Sequence, residues 1–173
     1  MKFRLLPLLI RKNQQDAAPG EDVILSPDRY IDMQANIIEF RIDDFHEVIA
    51  LWKSCEGIGL SSADSRDNIK AYLKRNPGMS FVARSKNAII AAVLCGHDGR
   101  RGYLHHLAVH PDFRNHGIGR ALVDRCILVL QSIGIQKCHL FIFHNNRDAI
   151  RFWEKIGWSY REEIGVVSKE IRF

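Results

Sequence analysis

The chain has 173 residues, 46% of them hydrophobic, which is enough apolar material for one buried core and short for two. Its formal net charge of +5 suits an anionic partner, and nucleic acid, acidic lipid or a phosphorylated cofactor would each satisfy it. The four cysteines (Cys55, Cys95, Cys126, Cys138) lack CxxC spacing and the eight histidines lack an HExxH or Cys/His pattern, so no disulfide framework and no metal site is expected.

Taken in chain order, MKFRLLPLLIRKNQQ has a basic start and a short apolar stretch. Pro7 interrupts it, Arg11 and Lys12 close it, and no small-residue cleavage site follows, so neither a signal peptide nor a membrane span is expected. Residues 13–35 show no sustained period, which predicts a loosely ordered extension over residues 1–36 and one domain over 37–173. IIEFRI reads as a first strand. DDFHEVIALWKSC repeats apolar residues at Phe45, Val48, Ile49 and Trp52 and reads as an amphipathic helix stopped at Gly57. Its acidic cluster, Asp43, Asp44, Glu47 and Glu56, reads as capping and solvated face. A loop, GIGLSSAD, precedes a second helix with Ile69, Tyr72 and Leu73 on one face and Pro77-Gly78 as terminator. Residues 80–109 then read as three antiparallel strands, joined by turns at 85–87 and 98–102.

After these come the turn HPDFRNHGIGRAL at 110–122, a helix ending at Gly134, a short apolar strand KCHLFIF, and a helix NNRDAIRFWEKIGW capped by Asn. Terminal strands are expected around Tyr160 and over Val166 to Ile171. The order describes an α/β chain with a mixed sheet and helices on both faces. The turn is not a P-loop, because Gly119 is followed by Arg120 and Ala121 rather than Lys and Ser or Thr. It is a poor dinucleotide fingerprint, because the third small residue is replaced by Leu122 and the acidic residue by His144. What remains is glycine spacing that lets backbone approach an anion at a helix start.

LAVHPDFRNHGIGRALV resembles the signature segment of the GNAT acyltransferases, whose Q/R-x-x-G-x-G/A turn binds the pyrophosphate of acetyl-CoA. NNRDAIRFWEKIGW resembles their second signature, N-x-x-A-x-x-x-Y-x-x-x-G-F/Y. The resemblance covers residues 37–173 in element order and implies a small, bacterial-type, single-domain N-acetyltransferase. The implied fold is a mostly antiparallel sheet in which parallel strands 4 and 5 splay apart around acetyl-CoA. It implies that Leu107, Ala108 and Val109 meet the pantetheine arm and acyl carbonyl. The amides of Arg114, Asn115, His116, Gly117, Ile118, Gly119 and Arg120 would hold the diphosphate, with Asn146 near the pantetheine and Trp153 facing the sulfur.

Acyl transfer to a primary amine by direct attack in a ternary complex needs a main-chain donor for the developing oxyanion, here Leu107 or Ala108, and a group that removes the amine's proton. The glutamate that relatives often use is absent, since its usual places hold Tyr103 and Phe141. His105, His106 and His144 are the titratable groups left. Strand alternation sends His105 and His106 to opposite faces unless a bulge intervenes. Relatives often carry a tyrosine as proton donor where this chain has Trp153, and Tyr103 and Tyr160 are the available replacements. Two functions therefore stay open: an N-acetyltransferase acting on a protein N-terminus, a lysine or a small metabolite, and a GNAT-fold module that binds acyl-CoA with little catalysis. A cytoplasmic monomer or homodimer is expected, with no nucleic-acid or membrane partner, since no aromatic platform or helix-turn-helix pattern accompanies the basic charge.

Overall fold

The computed structural model describes residues 35–171. The extension expected over residues 1–36 lies almost wholly outside them. A five-stranded sheet runs in the order β1-β2-β3-β4-β5, formed by β1 (Asn36–Glu39), β2 (Phe81–Ser85), β3 (Ala88–His97), β4 (Gly102–Val109) and β5 (Cys138–Leu140). β1 to β4 are antiparallel neighbours, and β4 and β5 are parallel. The turns between β2, β3 and β4 use backbone settings that few side chains adopt, at Lys86 (φ 53°) and Gly99 (φ 94°). In the second turn Asp98 Oδ1 accepts from the amides of Arg100 and Arg101, both at 2.7 Å. Those arginines serve the turn.

Both faces of the sheet are covered. On one side α1 (Phe45–Ser54) and α2 (Arg66–Arg75) bury Phe45, Val48, Leu51, Trp52 and Ile69 against Val82, Ala92, Leu94 and Ala108. On the other, α3 (Ile118–Ser132) buries Leu122, Val123, Cys126 and Leu130 against Phe81, Ala83, Val93, Cys95 and Leu104. A Cβ on Gly102 would sit 2.6 Å from Leu130 Cδ1, so a glycine at the start of β4 lets α3 approach the sheet. α4 (Arg147–Lys155) packs Trp153 at the edge of this second core. Two members of the acidic cluster are structural: Arg84 pairs with Asp44 (2.7 Å) and Glu47 (3.1 Å), and Glu47 also accepts from the Ile89 amide. All four cysteines are unpaired, and among the described residues no helix is long and apolar enough to cross a membrane.

Two expectations are corrected. The strand read in KCHLFIF ends at Leu140, leaving Phe141 and Phe143 exposed rather than buried. No strand forms among the described residues after 158, and Val166, Val167 and Ile171 are exposed. The alternating pattern supplies strand propensity, but a ladder needs an edge to pair with, and β5 offers only Cys138–Leu140.

Candidate active site

The site begins where β4 and β5 part. Their ladder runs from Gly102↔Cys138 to Leu104↔Leu140 and stops, while β4 continues to Val109. The backbone of β4 therefore faces a gap on that side.

The direction of its amides follows from two hydrogen bonds. Gly102 N–H donates to Lys137 O, toward β5, and His110 N–H donates to Ile90 O, toward β3. Residues an even number apart on a regular strand point the same way, so the strand must lose register between them. It does so at a bulge. Ala92 faces Ala108 and Leu94 faces His105, which leaves His106 and Leu107 opposite Val93 alone, and His106 takes the left-handed backbone setting (φ 52°). Counting back from His110 turns Ala108 toward β3 and Leu107 and Val109 toward the gap. In keeping with this, Val109 O accepts from Arg114 Nε at 3.0 Å rather than from β3.

At the far end of β4 a short 3-10 turn, Pro111–Phe113, leads into α3. Asn115 (φ 64°) and Gly117 (φ 79°) curl the chain so that α3 starts without any side-chain cap. The Arg114 amide, expected in the anion-holding set, instead donates to Pro111 O (3.2 Å); among the described residues the amides of 115–120 have no protein acceptor, and the first helical bond is Ala121 N–H to Gly117 O. Unpaired amides at the positive end of a helix dipole form an anion seat. A Cβ on Gly117 would meet nothing within 4 Å, so the seat is open to a ligand. These residues fit the diphosphate of a coenzyme.

The bulge decides the question that alternation left open. His105 and His106 both lie toward α1 and α2, with ring centroids 6.4 Å apart. His105 sits among the rings of Tyr72 (6.0 Å), Tyr103 (6.4 Å, stacked) and Phe141 (6.3 Å), at the point where the strands separate. Burial lowers its pKa from the ordinary 6.5, His106 lowers it further and Asp64 opposes them. The neutral ring, able to take a proton, is thereby favoured. His106 packs against Trp52 (4.9 Å) and its Nε2 lies 2.7 Å from Asp64 Oδ1. Asp64 was not singled out in the sequence, although SSAD carries the signal: Ser61 and Asp64 form a reciprocal capping box at the start of the 3-10 turn Ser62–Asp64.

The remaining candidates are placed differently. Tyr103 joins the His105 group, but its hydroxyl is engaged by Asp98 at 3.2 Å. His144 is exposed and bonded to Tyr160 at 2.7 Å, in another group. Asn146 caps α4 by accepting from the Ala149 amide (3.1 Å). Trp153 packs edge-on against Phe152 and Trp158. A cleft of about 670 Å³ lies between the end of α1 and the start of α4, lined by Glu56, Gly57, Arg114, Phe143, Asn146 and Arg147 among others. A Cβ on Gly57 would come within 2.2 Å of Asn146 Nδ2, so glycine there allows the two walls to meet. No group of three or more metal-ligating side chains occurs among the described residues.

Residues 45–158 match the acetyltransferase (GNAT) family. An acetyltransferase of Pectobacterium atrosepticum is 38% identical over 117 residues, 68% of this chain and 82% of that one. The PaiA N-acetyltransferase of Thermoplasma acidophilum, solved with coenzyme A, superposes with a TM-score of 0.67 at 18% identity, over 76% of this chain and 94% of that one. AAC(6')-Iy bound to a bisubstrate analogue, CoA-S-monomethyl-acetylneamine, gives 0.64 at 15% identity, over 80% and 99%.

Proposed function

The chain belongs to the GNAT acetyltransferase family, and from that premise we propose that it transfers an acetyl group from acetyl-CoA to a primary amine within a ternary complex. The observation that carries this reading is the row of unpaired amides at 115–120, a few residues beyond the end of β4 that has no β5 partner. When bound, acetyl-CoA supplies the activated thioester carbonyl.

Everything else falls to the protein. The amides of 115–120 and the α3 dipole hold the diphosphate. The backbones of Leu107 and Val109 line the gap for the pantetheine arm, and the Leu107 amide is the candidate donor to the acyl oxygen. His105, neutral and placed where the strands part, takes the proton that the amine must lose. Tyr103 is turned to Asp98 and Trp153 has no exchangeable proton of useful acidity, so the thiolate leaves without either as acid. A thiol with a pKa of roughly 8.5 tolerates that.

The support from relatives is of two kinds: PaiA was solved with coenzyme A, and AAC(6')-Iy with the bisubstrate analogue CoA-S-monomethyl-acetylneamine. Thiol release from acetyl-CoA tests the reading across four acceptors: a peptide with a free amino terminus, an amino-blocked lysine peptide, spermidine and neamine. Amine-dependent release is expected with at least one. Coenzyme binding without amine-dependent release from any amine would favour the binding module instead.

A further inference from the structure

We infer that Asp64 is a positioning residue for the proton acceptor: it commits His106 Nε2–H to its own carboxylate, pins the bulge of β4 to the α1–α2 loop, and thereby sets His105 at the gap. The inference rests on the transferase reading above and deepens it.

Several observations converge on this carboxylate. Asp64 is buried and His106 half-buried, with side-chain exposures of 9% and 17%. A carboxylate only accepts, so the proton between them belongs to His106 Nε2. The second carboxylate oxygen is equally committed, accepting from Ser61 N–H at 2.8 Å and lying 3.5 Å from Ser61 Oγ. Asp64 thus joins the loop before α2 to the centre of β4. His106 occupies a left-handed setting that side chains rarely adopt, and a conformation of that kind persists only where its surroundings hold it. The bond to Asp64 is the one polar contact its ring makes among the described residues. Without the bulge, His105 and His106 would face opposite sides of the sheet.

Asp64→Asn gives a specific test, because an amide has one oxygen where the carboxylate has two. Ser61 N–H can be met only by that oxygen, which turns Nδ2 toward His106 and obliges its Nε2 to accept. The His106 proton must then move to Nδ1. Nitrogen-15 spectra of the imidazoles in coenzyme-free protein read this directly: Nε2–H in the wild type, Nδ1–H in the variant. With acetyl-CoA and the free-amino-terminus peptide, kcat should fall by roughly tenfold or more, since a positioned base contributes ~10²–10⁴-fold. KM for acetyl-CoA should not change.

The acid limb of the pH–rate profile should also move to lower pH. His105 would lose the charge that raises its pKa and keep the burial and the neighbouring His106 that lower it, with the Tyr72 and Tyr103 phenols its other titratable neighbours. A wild-type His106 protonated on Nδ1 and not on Nε2 would overturn the inference even if the variant failed to fold. So would a variant with the proton moved but with wild-type kcat and profile. Absence of thiol release from the wild type would sink the transferase reading alone, and the imidazole spectra would still decide the Asp64–His106 bond.

Discussion

Replacing Gly117 by glutamate places a negative charge in the anion seat without disturbing the core. A Cβ at this position meets no atom within 4 Å, so the fold bears only the cost of a side chain at φ 79°, about 1–2 kcal/mol. Binding bears a larger one. A carboxylate about 5 Å from one diphosphate charge, at an effective dielectric constant of about 20, is repelled by about 3 kcal/mol. That corresponds to a rise in Kd of roughly 150-fold for acetyl-CoA. Gly117→Ala carries the same backbone cost and no charge, so the ratio between the two variants isolates the electrostatic effect. Calorimetric titration of wild type and both variants measures it, and added salt should shrink the ratio. A glutamate variant within threefold of the alanine variant would refute the placement of the diphosphate on these amides.

Changing His105 and His106 together to alanine should flatten the acid limb of the pH–rate profile, which in the wild type should lie below pH 6.5; an unaltered profile would remove both from the base role. Because His105 is favoured neutral in the fold, its share of stability is complete above its ordinary pKa of 6.5 and is lost as pH falls toward its lower folded value. Urea denaturation should therefore show His105→Gln losing less stability than the wild type between about pH 7.5 and about pH 5. Leu122→Ala, which empties a fully buried contact between α3 and the sheet, should cost ~2–5 kcal/mol in the same assay. Gly57→Ala should raise KM for acetyl-CoA and lower Tm, since its Cβ would collide with the Asn146 amide that caps α4.

Much of this site was legible in the sequence because it depends on local chemistry. RNHGIGRA announces a helix start that side chains do not cap, and Asn146 announces the next one; both stand where the spacing put them. The β2-β3-β4 meander followed from turn residues and period, and the parallel pairing of β4 with β5 from the family resemblance. What failed or stayed open depends on partners far along the chain. The pattern over Val166 to Ile171 is that of a strand, but β5 is too short an edge to pair with it. Whether His105 and His106 share a face turned on a bulge opposite Val93, which no residue type announces when the left-handed position is a histidine rather than a glycine. Asp64 was not singled out: the spacing of Ser61 and Asp64 could have suggested a capping box, but its other oxygen meets a ring some forty residues away, and local pattern carries no sign of that contact.

A crystal structure of the protein with coenzyme A tests the central claim most directly. The account predicts diphosphate oxygens within hydrogen-bonding distance of the amides at 117–120 and the thiol end in the gap beside Leu107. Coenzyme bound elsewhere, with those amides left to solvent, would contradict it.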